Sequence, residues 1–137
     1  MELRLNANAI ITNSEGEILL IKQKKGDFAG GLNIPGGGIN PGEMGFDAIK
    51  REILEETGIK SLNNIKPIGF CELTKKDIKK HRVVLLFHGN GKGNPRETEE
   101  GYCSWEKYDS VKNQLIPFAK KAIEMWQKNE LHFTIND

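Results

Sequence analysis

The sequence predicts an α/β (α+β) sandwich, a mixed β-sheet between helices, and three observations predict it. Short apolar runs bounded by turn residues recur along the chain, as strands do. A segment at 40–57 carries both a helix start signal and a helix stop signal. A second segment with helical apolar spacing, 111–127, follows the later strands. Strands and helices in this order bury their apolar sides best as layers on one sheet.

Each element can be justified in turn. Residues 3–12, rich in Leu, Ile and Ala, read as a mostly buried strand. Asn13, Ser14, Glu15 and Gly16 signal a turn, and 17–23 is a second strand, so the two form a hairpin. A glycine-containing loop at 24–31 leads to the short apolar stretch 32–34 and then to Pro35-Gly36-Gly37-Gly38. In the helix that follows, Asn40 suits the N-cap, Pro41 the first turn and Glu43 a capping box. Gly58 suits the position just past its end, and Phe46, Ile49 and Ile53 form its core stripe. Strands are expected at 65–72 and 82–88, a polar loop at 89–100, a brief strand at 102–105 and a helix over 111–127. Residues 131–135 read as an edge strand.

Composition narrows the function classes. With 137 residues, 37% hydrophobic and 28% charged, the chain reads as one domain spanning 1–137 with its own core. Neither a membrane-spanning run nor a signal-peptide pattern is evident, so the expected location is cytoplasmic and no membrane partner is expected. Cys71 and Cys103 lie far apart with no partner at metal spacing, which argues against zinc and for free thiols in a reducing compartment. The net charge of +1 gives no global attraction for a polyanion, and no stable nucleic-acid partner is expected. The basic run Lys75, Lys76, Lys79, Lys80, His81, Arg82 reads as a solvated loop between strands, with contact to RNA or a substrate phosphate as the alternative.

The chemistry is concentrated in the first helix. At 100° per residue, Glu52, Glu55 and Glu56 share one arc. Three like charges on one face are unfavourable unless a cation offsets them. Carboxylate oxygens suit Mg²⁺, or Mn²⁺ in its place. Arg51 is spaced to hold either Glu43 or Glu55. Taken alone, the cluster is equally consistent with a solvated acidic face.

The segment from Gly37 to Ile59 resembles the Nudix box, Gly-x₅-Glu-x₇-Arg-Glu-U-x-Glu-Glu-x-Gly-U with U aliphatic. Gly37, Glu43, Arg51, Glu52, Ile53, Glu55, Glu56, Gly58 and Ile59 fill every specified position. The resemblance implies the Nudix α/β/α sandwich over nearly the whole chain. It implies Mg²⁺-dependent hydrolysis of a small nucleotide substrate in which a nucleoside diphosphate is linked to another group. It assigns metal binding to Glu52, Glu55 and Glu56, catalytic roles to Glu55 and Glu52, and an orienting pair to Arg51 and Glu43. It further implies that Gly37 lets its loop pass close to the helix. Glu100, in a loop where family members often place another acidic residue, is a fourth candidate metal ligand, with a solvated acidic turn as the alternative.

Outside the box, residues 24–33 and 93–100 and the C-terminal helix are similar to the MutT-like branch, which hydrolyses oxidised nucleoside triphosphates. That similarity makes Asn33, Gly36, Gly37 and Phe28 candidate substrate-binding residues, with Asn33 reading a purine edge or else tying its own loop. Phe28 or Trp105 can stack on a base, or both can serve packing. Leu32 stands where many MutT-like proteins carry Trp. Thr74, Lys76, Asp77 and Ile78 occupy places where other branches carry Pro or Tyr markers. The expected reaction converts a purine nucleoside triphosphate, oxidised or not, to the monophosphate and pyrophosphate. The alternatives are a nucleotide-sugar or RNA 5′-end hydrolase, or a module that binds a nucleotide without cleaving it. The oligomeric state is left open by the sequence.

Overall fold

A computed structural model describes residues 1–77 and 79–136. Eight strands form one mixed sheet. They are β1 (Glu2–Thr12), β2 (Ile18–Gln23), β3 (Leu32–Asn33), β4 (Gly36–Gly38), β5 (Ser61–Lys75), β6 (Lys80–Lys92), β7 (Gly101–Glu106) and β8 (His132–Asn136). The sheet runs β3-β2-β1-β6-β5-β8, with β4 beside β1 and β7 beside β2. β1 is parallel to β6 from Glu2↔Lys80 to Thr12↔Asn90 and turns antiparallel to β2 at Thr12↔Ile18. β8 adds at the edge, parallel to β5.

Both sheet faces are covered, which explains why β1 shows so little polar alternation. Ala7, Ala9 and Ile11 point to one face, where they pack with Ile49 and Ile53 of helix α1 (Gly45–Thr57). Ile10, Leu86 and Val84 point to the other, against Ala119, Ala122 and Ile123 of helix α3 (Pro117–Gln127). The expected sandwich with its mixed sheet is therefore present, with α1 and α3 as its outer layers.

Several boundaries differ from expectation for local reasons. α1 starts at Gly45 behind Met44, which makes no side-chain cap, so Asn40 and Pro41 do not begin it. Gly42 at φ 84° interrupts any helical run from Asn40. Phe46 is 40% exposed rather than in the core stripe, and the Lys50 ammonium lies 4.3 Å from its ring centre. The single helix expected at 111–127 is divided into a short helix α2 (Tyr108–Val111), a 3₁₀ turn (Lys112–Gln114) and α3. Pro117 holds Ile116 extended and serves as the first residue of α3. The glycine loop at 36–38 is strand β4. The basic run is not all loop, because Lys75 ends β5 and Lys80, His81 and Arg82 begin β6. Ile78, in that run, lies outside the described residues. Leu32 is buried, and its carbonyl accepts the Ile116 N–H, so that position serves the core. No helix among the described residues is long and apolar enough to cross a membrane.

Candidate active site

The site forms where β4 meets the last two turns of α1. A side-chain carbon at Gly36 would stand 2.2 Å from the Ala7 carbonyl oxygen, and one at Gly37 would stand 2.7 Å from the Glu52 carboxylate. At Gly36 the clash is with β1 backbone, so only glycine lets β4 lie there, while at Gly37 a side chain would displace the Glu52 carboxylate. The bare strand offers backbone to the helix carboxylates, and the Gly36 N–H donates to Glu56 Oε1 at 2.7 Å.

Arg51 organises the other side. Its Nε donates to Glu43 Oε2 at 2.8 Å and its Nη2 to Glu43 Oε1 at 3.0 Å, a two-point grip that fixes both groups. Nη1 donates to Glu52 Oε1 at 2.8 Å and reaches Glu55 Oε2 at 3.4 Å, while Nη2 also donates to the Gly38 carbonyl at 3.0 Å. Glu43 itself precedes the helix. Its Oε1 accepts the Asn40 N–H at 3.1 Å, so the two residues expected to cap the helix close a separate turn.

The carboxylates differ in environment. The Arg51 guanidinium, helped by the Asn40 N–H, holds Glu43 at a pKa of about 2. Burial pushes Glu56 up to about 8, only partly offset by the Gly36 N–H and reinforced by Glu52, Glu100 and Glu55 nearby. Burial also raises Glu52, against the opposing pull of Arg51. The Glu55 side chain is 58% exposed and is the least engaged of the three.

Glu52, Glu55 and Glu56 line one cavity of about 570 Å³ together with Glu97, Glu99 and Glu100. Among the described residues, Arg96 is the one cation in its lining. Among the described residues, no three carboxylate, imidazole or thiol groups are gathered tightly enough to hold an ion as they stand. Glu52 and Glu56 each have a donor of their own instead, Arg51 and the Gly36 N–H.

Glu56 and Glu100 also line a smaller pocket with Asn33, Gly36, Gln23 and Lys25. Asn33 Oδ1 accepts the Ile34 N–H at 2.8 Å, so its carbonyl ties the loop. Its Nδ2 has no protein acceptor among the described residues. Gln23 and Lys25 continue into a third cavity of about 430 Å³, where Phe28 forms part of the wall. Phe28 is half exposed there and lies outside the carboxylate cavity. Trp105 is partly buried. It packs with the α1-side core and donates its Nε1–H to the Gly93 carbonyl at 2.8 Å.

Three residues that carried no sequence signal shape the site. Thr98 Oγ1 and Cys103 Sγ both donate to the Glu56 carbonyl at 3.0 Å, and Asn8 Nδ2 donates to the Ile34 carbonyl at 3.2 Å. The Arg96 N–H donates to the Thr57 carbonyl at 3.0 Å, so the segment bearing Glu100 is fastened to the end of α1. Lone polar side chains of this kind have no spacing that a sequence pattern can register.

A sandwich that brings a glycine strand and a helix rich in carboxylates to one cleft is the architecture of a Nudix hydrolase. The chain belongs to the Nudix family, whose NUDIX domain profile matches residues 2–127. It is 47% identical over 127 residues to the 8-oxo-dGTP diphosphatase of Haemophilus influenzae, with 92% of each chain covered. It is 30% identical over 128 residues to the oxidized purine nucleoside triphosphate hydrolase of Danio rerio, covering 92% of this chain and 75% of that one. Among solved structures, the MutT NUDIX hydrolase from Burkholderia pseudomallei superposes with a TM-score of 0.80 at 28% identity, over 90% of this chain and 98% of that one.

Proposed function

We propose that this Nudix hydrolase cleaves purine nucleoside triphosphates, oxidised purines among them, to the nucleoside monophosphate and pyrophosphate. The observation that carries the reading is a pair of adjoining pockets that share Glu56 and Glu100, one lined by the α1 carboxylates and the other by Asn33. The substrates in the names of the Haemophilus influenzae and Danio rerio relatives support the choice of purine.

The donor set fits Mg²⁺, with Mn²⁺ as a substitute. Glu52, Glu55 and Glu56 would hold the ion, with Glu100 facing the same cavity, and all are hard oxygen ligands. Bound there, the ion would compensate the carboxylate and phosphate charges and would make a nearby water more acidic.

The chain's own groups do the rest. Arg51, held by Glu43, fixes the rotamer of Glu52. The Gly36 N–H and the close approach at Gly37 set the positions of Glu56 and Glu52. Glu55, exposed and lightly held, takes the proton from the attacking water as oxygen bonds to phosphorus and pyrophosphate departs. Asn33 donates from Nδ2 to an acceptor on the base, and Phe28 walls the space beyond. Free thiols at Cys71 and Cys103 suit a reducing, cytoplasmic setting.

The test is a pyrophosphate-release screen with Mg²⁺ over 8-oxo-dGTP, dGTP, dATP, pyrimidine triphosphates, nucleotide sugars and 5′-triphosphorylated RNA. The reading predicts the highest kcat/KM for a purine triphosphate and loss of activity on chelation. Preferential cleavage of nucleotide sugars, or full activity in chelator, would contradict it.

A further inference from the structure

We propose that the far end of the cleft is a second anion site, built on Lys80 and Arg82. It takes a phosphoryl group that the nucleoside carries in addition to its 5′-polyphosphate. The proposal rests on the reading of the cleft as a nucleotide site.

The chain is almost neutral, at +1, but its cleft is strongly polarised. Among the described residues, the carboxylate cavity has one cation in its lining, Arg96. The third cavity reverses this. Phe28, Leu73 and Phe118 give it apolar walls, and Lys25, Lys75, Lys80 and Arg82 surround it. Among the described residues in its lining the carboxylate is Asp27, which accepts from Lys75 at 2.9 Å. The two ends are joined, because Gln23 and Lys25 line both this cavity and the pocket that holds Asn33, Glu56 and Glu100.

Strand geometry puts Lys80 and Arg82 on one side of the sheet. They stand two residues apart on β6, so they share a face, and it is the face that carries Val84 and Leu86 into the α3-side core. Leu73, which walls the cavity, is the register partner of Arg82 on β5. Arg4, the register partner on β1, is already bonded to Glu2. Among the described residues, no carboxylate pairs with Lys80 or Arg82.

A neutral base and sugar give two uncompensated cations nothing to bind electrostatically. A phosphoryl group does, and a guanidinium can grip it at two points while an ammonium adds a point charge. With the 5′-polyphosphate at the carboxylate end and the base against Phe28, a second phosphoryl group has to come from another ribose oxygen, in the first instance the 3′ one. The same chemistry arises in a free nucleotide with a 3′-phosphate and in the first phosphodiester of an RNA 5′ end.

The test compares GTP, its 3′-phosphorylated counterpart and a 5′-triphosphorylated dinucleotide beginning with G, for the intact protein and a K80M/R82M variant with Mg²⁺. Both residues sit at the solvent-facing start of β6, and methionine keeps the apolar stem. The expected result is a kcat/KM about tenfold higher for a 3′-phosphoryl substrate than for GTP, as charge-assisted hydrogen bonds allow, with the ratio falling to about one in the variant. A gain confined to the mononucleotide assigns the site to a free 3′-phosphorylated nucleotide. A gain confined to the dinucleotide assigns it to an RNA 5′ end. No gain for either, or a gain the variant retains, overturns the proposal. Calorimetry with guanosine 3′,5′-bisphosphate against guanosine 5′-monophosphate separates the two readings. Tighter binding of the bisphosphate, lost in K80M/R82M, upholds the anion site even where no triphosphate is cleaved. Equal binding in a protein that cleaves triphosphates removes the anion site alone.

Discussion

Two carboxylates of the same sequence motif, Glu43 and Glu56, lie in opposite environments. Glu43 meets Arg51 at two points and a backbone N–H at a third, which keeps it ionised down to about 2. Glu56 is mostly buried, has one backbone N–H and lies near Glu52, Glu100 and Glu55, and burial first and those charges second push it up to about 8. The early residue is satisfied by the protein itself. The late one retains an unmet demand for positive charge, which is what a binding site for a cation needs before the cation arrives. The proposed roles of the two carboxylates, orienting for Glu43 and metal-binding for Glu56, thus rest on what remains uncompensated.

The comparison is most easily broken by activity. Glu55→Gln and Glu56→Gln should each lower kcat by at least about 10²-fold, because their charge acts mainly in the transition state. Glu43→Gln should cost about tenfold, the lower end for a residue that acts through another group. Steady-state pyrophosphate release checks all three. Near-normal turnover in both Glu55→Gln and Glu56→Gln would remove the active-site assignment, and a larger loss at Glu43 than at Glu56 would reverse the comparison.

Asn33 offers a sharper, smaller test. Its carbonyl is committed to Ile34, so Asn33→Asp keeps an acceptor for the loop tie and removes the donor. It also adds a negative charge beside Glu56 and Glu100, a charge that all triphosphates feel alike and that cancels in the comparison between bases. Purine substrates should then lose about tenfold in kcat/KM relative to pyrimidine ones, the worth of one hydrogen bond in the cleft. Equal losses across bases would leave Asn33 as a loop residue.

The comparison also extends to stability. In the metal-free protein, folding favours the protonated form of Glu56, whose pKa rises from 4.5 to about 8. Its stabilising contribution is complete below the unfolded value and is lost as pH rises through about 8. Glu43 does the reverse, since its contribution is present above 4.5 and is lost as pH falls through about 2. Melting temperatures of the wild type and Glu56→Gln between pH 5 and pH 9, in chelator, should diverge in favour of the variant at high pH. Parallel curves would show that Glu56 is not destabilised by its ionisation.

Much of this was legible in the sequence because the relevant signals are periodic or conformational. The carboxylate arc follows from helical spacing, and Gly58 closes α1 in the left-handed conformation at φ 79°, as its position suggested. What was not legible depended on long-range contact. Asn40, Pro41 and Glu43 spell a helix start, and Glu43 does accept the Asn40 N–H, but Gly42 in the left-handed conformation stops the run there and Arg51, eight residues on, grips the same carboxylate. The glycines at 36–38 read as loop because nothing local says that β1 will lie beside them. Phe46 matches the apolar period, yet the sheet beneath α1 accommodates only Ala48, Ile49, Ile53 and Thr57. Thr98 and Cys103 converge on the Glu56 carbonyl from more than forty positions away in the chain, a convergence that only the folded topology creates.

The most direct test of the central claim is the shift in melting temperature that Mg²⁺ produces at pH 8 in the wild type, Glu43→Gln and Glu56→Gln. A cation that binds only the folded state at a hundred times its Kd contributes about 2.7 kcal/mol. The account predicts a clear upward shift in the wild type, a shift largely kept in Glu43→Gln and one largely lost in Glu56→Gln. An equal shift in Glu56→Gln and the wild type would contradict it.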